Sequence, residues 1–173
     1  MRRFFFALWP DDTIRAQLLR TALKIECGDG RRIVAANLHV TLLFIGNVED
    51  GSVEGIGEAA DSVIGDRFAL HFDTLDRRRG GIAWLAPKVI PPGLSKLVEQ
   101  LRRRTTDIGM PAESRPYRPH VTICRRLRRA PAPPDGGIDI RWPVDEFSLV
   151  ESLVGPDGVR YEVRRRWRLA TSE

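Results

Sequence analysis

The sequence predicts an α+β fold of two similar lobes, in which two antiparallel β-sheets flanked by helices surround a central cleft. Three observations support it. A His-Val-Thr motif occurs twice, strand and helix patterns alternate along the chain, and hairpin turns favour antiparallel pairing. The motif lies in residues 37–46 and again in residues 118–125, so that His39 and His120 are 81 positions apart in a chain of 173 residues. This spacing indicates a duplicated unit whose halves each contribute one strand to a shared site.

The first half of the chain is predicted as strand, helix, strand, helix. Aromatic residues at 3–9 predict a strand, and the Pro-Asp-Asp that follows them predicts a turn and a helix N-terminus. Apolar residues at helical spacing predict helices at about 12–27 and 52–64. Between these helices, a short extended piece at 33–36 precedes the first motif strand, 38–45.

The second half adds one helix and several strands. Strands at 68–72 and 82–86 are predicted as a hairpin because a Gly-containing turn separates them. A helix to about residue 108 starts at a Pro-Pro-Gly sequence. After the second motif strand, a Gly-Pro-Asp-Gly turn predicts a closing hairpin of strands 144–154 and 159–169. The tally is about eight strands and three helices in a single domain over residues 1–173.

Composition excludes a membrane protein, because no apolar run approaches the roughly 20 residues that span a bilayer. The apolar run near the N-terminus is too short for a signal peptide and lacks a small-residue cleavage site, so we expect a cytoplasmic protein. The net charge is +5, and many arginines are clustered. Each cluster is either a surface that steers a polyanion or a solvated, salt-bridged surface. The clusters are residues 77–79, 102–104, 125–126, 128–129 and 164–166.

The two histidine motifs carry the chemistry that the sequence predicts. Successive residues of a strand alternate faces, so His39 shares a face with Thr41, and His120 shares one with Thr122. Two imidazoles and two hydroxyls suit acid–base chemistry on a phosphate ester, because the imidazole pKa lies near neutrality. The third histidine, His71, stands outside the motifs and is predicted to be a packed or hydrogen-bonded residue.

Metal and cysteine chemistry are the weaker hypotheses. A zinc site needs three or four ligands, and neither motif has an acidic residue beside it. Cys27 and Cys124 form neither a metal motif nor a disulfide framework, so each is predicted to be a free, packed thiol. A nucleophilic Cys124 is not needed, because hydrolysis requires only water and two proton carriers.

The chain resembles the two-histidine (2H) phosphoesterase superfamily, and within it the RNA 2′,3′-cyclic phosphodiesterases of bacteria and archaea, the LigT-like family also described as 2′-5′ RNA ligases. The resemblance covers nearly the whole chain. It rests on both motifs and on the segments at 3–7, 82–85, 151–153 and 158–161. It implies a bilobal, pseudo-two-fold fold, no metal and no cofactor. It also implies a substrate that is RNA or a nucleotide with a 2′,3′-cyclic phosphate, and a monomer suffices to complete the cleft.

The resemblance also implies a role for each motif residue. His39 would be the proton donor and His120 the proton acceptor in hydrolysis of the cyclic phosphate to a 2′-phosphate. Thr41 and Thr122 would donate hydrogen bonds to the non-bridging oxygens. Arg125 matches a position that is often basic in the family, although strand alternation turns it away from the histidines unless the strand ends or bulges there.

Three aromatic residues, Phe5, Phe44 and Tyr161, are candidates to line the cleft or stack on a base, and each is equally consistent with a core position. Two other functions stay open. One is a 2′-5′ RNA ligase that acts on tRNA-half-like ends. The other is a non-catalytic module that binds RNA ends, which the intact His and Thr of both motifs disfavour.

Overall fold

Ten strands and three α-helices make up the part of the chain that the computed structural model describes, residues 2–78, 80–110, 115–156 and 158–171. The strands are β1 (Arg2–Leu8), β2 (Arg31–Arg32), β3 (Val40–Val48), β4 (Phe68–Phe72), β5 (Thr74–Arg78), β6 (Ile82–Ala86), β7 (Val121–Arg125), β8 (Ile140–Val144), β9 (Glu146–Gly155) and β10 (Gly158–Arg168). The helices are α1 (Asp12–Leu23), α2 (Val53–Asp61) and α3 (Pro92–Asp107).

The strands form two antiparallel sheets, so the predicted α+β class is confirmed. The large sheet has the order β10-β9-β1-β3-β7-β6-β5, with β2 beside β7, and the small sheet pairs β4 with β8. The two sheets are not divided between two lobes, one small sheet in each. Instead, β3 and β7 join the two halves of the chain in one continuous sheet.

An internal repeat is visible in this topology. The series β1-α1-β3 has the same order as β6-α3-β7, and the corresponding elements begin 80, 80 and 81 positions apart. In the large sheet these four strands stand in the order β1-β3-β7-β6. Because β6 corresponds to β1 and β7 corresponds to β3, this order is symmetric. The repeat therefore centres on the contact between β3 and β7. A single domain of two similar lobes stays a prediction.

The main core lies on one face of the large sheet. In β1, Phe4, Phe6 and Leu8 point into this core, whereas Phe5 and Ala7 point to the opposite face. Buried apolar side chains from all three helices belong to the same core, as do those of the small sheet. Burying one such phenylalanine stabilises the fold by about 1.5–3 kcal/mol. The opposite face carries only a small apolar cluster, which leaves room for a site.

The predicted hairpin of residues 68–72 and 82–86 is wrong. β4 pairs with β8 in the small sheet, and β6 instead forms a hairpin with β5, a strand that the prediction treated as part of the turn. Asp73 separates β4 from β5, because its carboxylate accepts hydrogen bonds from the Lys88 N–H (2.9 Å) and the Thr74 hydroxyl (3.1 Å). β4 then turns Phe72 toward Trp142 of β8, with ring centroids 6.5 Å apart.

Several predicted element ends move by a few residues. Helix α1 ends at Leu23, where the Arg32 guanidinium donates to Ala22 O in the last turn and to Ile25 O just beyond it. The piece predicted at 33–36 is β2 at 31–32 followed by a 3₁₀ turn at 35–37. The closing hairpin of β9 and β10 is confirmed, although Asp157 of its turn lies outside the described residues, as does Arg79 of the first arginine cluster.

The prediction of two free thiols is wrong. Cys27 and Cys124 form a disulfide, with their Cα atoms 6.0 Å apart. Strand β2 brings the segment after α1 alongside β7, where Arg32 pairs directly with Cys124. The two cysteines are 97 residues apart in sequence, and no spacing motif marks them as partners. Separately, none of the described helices is long and apolar enough to cross a membrane.

Candidate active site

The two histidine motifs meet where β3 and β7 pair. Val40 pairs with Val121 across the two strands, and both valines are fully buried in the main core. In this antiparallel register His39 lies beside Thr122, and Thr41 lies beside His120. The four polar side chains therefore share the face opposite the core, where all four are half-buried. The structure thus brings together the four residues that the sequence singled out.

The two imidazoles are held in the same way. Nδ1 of His39 lies 2.8 Å from the carbonyl oxygen of Asn37, and Nδ1 of His120 lies 2.8 Å from that of Arg118. A carbonyl oxygen only accepts, so each Nδ1–H donates to the residue two positions earlier in the chain. Each histidine stands one residue before its strand, so the accepting carbonyls of Asn37 and Arg118 lie outside β3 and β7. Nε2 is therefore the atom that each ring presents for proton exchange.

The His39 motif is tied to its surroundings at three points. The Thr41 hydroxyl lies 3.1 Å from Nε2 of His39. The Tyr117 hydroxyl donates to the backbone carbonyl of Thr41 (3.3 Å), and the Asn37 side chain donates to the carbonyl of Val159 at the start of β10 (2.8 Å). These bonds fix the motif to the segment before β7 and to β10, so the imidazole has little freedom to turn.

A β-bulge in β7 decides the direction of Arg125. Against β6, Cys124 pairs with Ala83 and Thr122 pairs with Trp84, so Ile123 is the extra residue. The bulge shifts the alternation by one position. Ile123 and Cys124 are both buried, and Arg125 returns to the exposed face that Thr122 occupies. This is the bulge that the Arg125 hypothesis requires.

β3 contains the matching irregularity. Its pairing with β1 skips Leu42, and as a result Leu42 and Leu43 are both buried while Phe44 is 48% exposed. Phe44 follows Thr41 by three positions, as Arg125 follows Thr122, so the two residues occupy equivalent places in the repeat. One half of the site thus offers an aromatic ring and the other half a cation.

Aromatic rings surround His39. The ring centroids of Phe5 and Tyr161 lie 5.0 and 5.1 Å from the imidazole centroid, and Trp9 stacks on it at 5.6 Å with 20° between the planes. Phe5 is only 3% exposed, so it supports His39 from below and is not accessible to a base. Tyr161 is half-buried beside the imidazole. The ring centroids of Phe44 and Phe5 lie 6.1 Å apart.

Two tryptophans at the site were not predicted. Trp9 is held between His39 and the Arg15 guanidinium, which lies 5.6 Å from the indole centroid. Trp84 packs against His120 with ring centroids 4.8 Å apart. Strand alternation gives only the face of Trp9, which follows Phe5 by four positions, whereas the pairing of Trp84 with Thr122 is not encoded in the local sequence.

The environment of His39 strongly favours its neutral form. Burial lowers the pKa of His39 from 6.5 to about 4, although the hydrogen bond to the Asn37 carbonyl acts in the opposite direction. The positive charges of His120, Arg125 and Arg15 lower the pKa further. These charges act on His39 because they lie close to it.

His120 shows a shift in the same direction. Burial lowers the pKa of His120, and the hydrogen bond to the Arg118 carbonyl opposes that effect. The charges of Arg78 and Arg125 lower the pKa as well. Arg125 therefore lowers the pKa of both imidazoles.

These shifts predict the pH dependence of any acid–base reaction at this pair. Activity falls at low pH when the base gains a proton, and at high pH when the acid loses one. Because both pKa values lie below the ordinary imidazole value of 6.5, we expect a bell-shaped kcat/KM profile with its maximum below pH 6.5. Initial rates between pH 3.5 and 9 measure it. A maximum well above pH 6.5, or a profile with a single limb, would contradict this expectation.

No group of three or more His, Cys, Asp or Glu residues within the described part of the chain is arranged to hold a metal ion. His71, the histidine outside the motifs, lies on β4 in the small sheet, where its Nε2 is 2.6 Å from Oδ1 of Asp139. It is therefore hydrogen-bonded, and it belongs to a different sheet from the two motif histidines.

Known proteins are similar to this chain over nearly its whole length. A family model described as the 2′-5′ RNA ligase superfamily matches residues 10–156. A relative from Escherichia coli strain K12, named RNA 2′,3′-cyclic phosphodiesterase, is 31% identical over 170 residues, which are 97% of this chain and 97% of the relative. A Thermus thermophilus protein of the same name is 29% identical over 184 residues, covering 96% of this chain and 90% of that protein.

Solved structures agree with the sequence comparison. Escherichia coli LigT complexed with 3′-AMP superposes with a TM-score of 0.88 at 30% identity, covering 98% of this chain and 99% of that chain. The fold, the doubled motif and the full-length similarity all lead to one assignment. The chain belongs to the 2′-5′ RNA ligase superfamily, the two-histidine phosphoesterases that its paired His-x-Thr motifs indicated.

Proposed function

We propose that this protein is a metal-independent RNA 2′,3′-cyclic phosphodiesterase that leaves a 2′-phosphate end. The observation that carries the proposal is the pairing of His39 and His120 across β3 and β7, with each Nδ1 bound to a backbone carbonyl and each Nε2 presented for proton exchange. Full-length relatives that are named RNA 2′,3′-cyclic phosphodiesterase support it.

The proposed reaction uses one water molecule and both imidazoles. Neutral His120 takes a proton from the water while its oxygen forms a bond to phosphorus. The bond from phosphorus to the ribose 3′-oxygen breaks, and protonated His39 gives its Nε2 proton to that oxygen. The products are a 2′-phosphomonoester and a free 3′-hydroxyl, so atoms and protons balance.

The threonines and Arg125 would stabilise the charge that develops on the phosphoryl group. Thr41 and Thr122 lie on the face of the imidazoles, where their hydroxyls would donate to the non-bridging oxygens. Arg125, returned to this face by the bulge, would bind a phosphate oxygen with its guanidinium. Phe44 is the exposed aromatic residue of the set and would stack on the terminal base.

The division of roles between the two histidines follows the family resemblance. Electrostatics in the unliganded protein favour neutral His39, which suits a base better than an acid. A bound phosphate carries negative charge, and a negative charge raises the pKa of a neighbouring imidazole. In this proposal the substrate itself therefore restores the proton on His39.

Ligation is the second candidate function, because the matching family model is described as the 2′-5′ RNA ligase superfamily. An RNA 5′-hydroxyl that takes the place of water would attack the same phosphorus, break the same bond to the 3′-oxygen and form a 2′-5′ linkage. Both reactions need the same two proton transfers, so only the products distinguish them.

The test of the proposed function is incubation with a 2′,3′-cyclic mononucleotide in the presence of EDTA. We expect complete conversion to the 2′-phosphomonoester, with the same rate with and without the chelator. His71→Ala is the matched control, because it removes a histidine that lies in the other sheet. Tight binding without product, or a 3′-phosphomonoester as the product, would refute the proposal.

We further infer that the enzyme works in the cytoplasm as a monomer of one two-lobed domain, with RNA as its partner. Both motifs and Arg125 come from the same chain, which supports the monomer. The Cys27–Cys124 disulfide tests the location, because disulfides are rare in the reducing cytosol. The structure contains the oxidised form of this pair, and a cytoplasmic location predicts the reduced form inside the cell, so that thiols alkylated at the moment of cell lysis are found free at both positions. A fully oxidised pair would place the protein in an oxidising compartment.

A further inference from the structure

Three arginines lie in one row on the sheet face that carries the two histidines. Arg31 of β2 pairs directly with Arg125 of β7. On the other side of β7, Ala83 pairs with Cys124, which aligns the next residue, Ile82, with Arg125. Ile82 pairs in turn with Arg78 of β5. Strands lie about 4.8 Å apart, so the row spans about 14 Å over three spacings.

These arginines, which we call the arginine row, have no acidic partner among the residues that the structure describes. All three are exposed, and none forms an ion pair with another described residue. Asp76 is the acid on the same face of β5, and it accepts a hydrogen bond from the backbone N–H of Arg77 (2.6 Å) without pairing with the row.

The opposite edge of the sheet is different. Along β10, five arginines pair with carboxylates, so their charges are neutralised within the protein. The pairs are Arg160 with Glu162, Arg164 with Glu151 and Glu162, Arg165 with Asp61, Arg166 with Glu146, and Arg168 with Asp145. The arginines near the histidines are therefore not an ordinary salt-bridged surface.

Direct pairing of Arg31 with Arg125 is unfavourable on its own. Like charges that face each other across an antiparallel pair destabilise the sheet. A bound anion would reverse the sign of this contribution, because arginine forks bind phosphate oxygens through two parallel hydrogen bonds. The row also lies close to the histidines, since the charges of Arg125 and Arg78 both act on His120.

We propose that the arginine row binds the phosphodiester on the 5′ side of the cyclic end, so that the preferred substrate is an oligoribonucleotide and not a mononucleotide. This inference rests on the proposed function. Arg125 would contact the cyclic phosphate, and Arg78 would contact the next phosphate of the chain. Arg31 lies on the other side of Arg125, beside Gly158, and would add to the positive potential that both phosphates meet. Phe44 occupies the place equivalent to Arg125 on the other side of the site, so the terminal base lies toward Phe44 and the chain leaves over the row.

The test compares kcat/KM for a 2′,3′-cyclic mononucleotide with kcat/KM for a trinucleotide that has the same cyclic end. We expect the wild-type protein to prefer the trinucleotide by tenfold or more at low salt. Arg78→Gln should reduce that preference by about tenfold and make the salt dependence for the trinucleotide less steep by about one phosphate contact, and Arg31→Gln should reduce the preference by a smaller factor.

Arg103→Gln is the matched control. Arg103 is exposed on α3, on the covered side of the large sheet, and its replacement changes the net charge by the same amount. We expect it to leave both rates and the preference unchanged. Equal losses on both substrates for Arg78→Gln, or a wild-type protein without preference, would overturn the inference while the proposed function stands. No hydrolysis of either substrate would refute the proposed function itself.

Discussion

His39→Ala and His120→Ala each lower kcat/KM for a 2′,3′-cyclic nucleotide by about 10²–10⁴-fold, because each removes one of the two proton transfers. The double variant loses little more than either single variant, since two residues that act as one unit are not additive. The measurement is the initial rate of 2′-phosphate formation at saturating and limiting substrate.

The fold must remain intact for this comparison. Neither imidazole belongs to the main core, so we expect the far-ultraviolet circular dichroism of both variants to match the wild type. His39→Ala should melt at a somewhat lower temperature, because it loses the contacts with three aromatic rings, and should still unfold cooperatively. His71→Ala should retain the full rate. If one motif histidine proves dispensable in a folded variant, the paired acid–base reaction is wrong.

A change of leaving group separates the two histidines. A p-nitrophenyl phosphodiester expels a leaving group that needs no proton, so the variant that lacks the acid recovers activity on this substrate, whereas the variant that lacks the base does not. We expect His39→Ala to recover and His120→Ala to remain inactive. The reverse pattern would exchange the two roles, in agreement with the neutral His39 of the unliganded site.

Thr41→Val and Thr122→Val have the second-largest expected effect, a loss of about 10²-fold in kcat for each, because each removes one hydrogen-bond donor to the charged phosphoryl oxygens. Valine keeps the shape and the strand preference of threonine, so the change is confined to the hydroxyl. The loss should appear in kcat more than in KM, since the bond strengthens as charge develops.

Serine provides the control at both positions. Thr41→Ser and Thr122→Ser keep the hydroxyl and should retain most of the activity. The two valine variants should behave alike, because Thr41 and Thr122 occupy equivalent places in the two motifs, each one position after the paired valine. A valine variant with the wild-type kcat would show that its threonine serves only the strand.

Sequence reasoning predicts the parts of this fold that local patterns determine. The doubled motif places the buried valines on one face and the polar residues on the other, and β3 and β7 pair through those valines. The closing hairpin follows from its turn. The pairing of β4 with β8 was missed because the partner strands are about 70 residues apart in sequence, and no periodicity encodes a partner at that distance.

The residues around the motif depend on features that alternation alone does not reveal. The direction of Arg125 depends on a bulge, which the sequence does not mark. The disulfide depends on β2, which brings the segment after α1 alongside β7. This strand has only two residues, too few for a hydrophobic pattern to predict it. Trp9 and Trp84 were read only as strand residues, because their contacts with the imidazoles arise from the way the strands assemble.

The most direct measurement is a nitrogen-15 NMR titration of the imidazoles with a nucleoside 2′-monophosphate, the product of the proposed reaction. The chain has three histidines, and single alanine variants assign each signal. We expect the Nε2 resonances of His39 and His120 to shift together with one dissociation constant at one ligand per protein, while His71 stays unchanged. Shifts at only one motif histidine, or at the two with different affinities, would show that the imidazoles do not act on the same phosphorus atom.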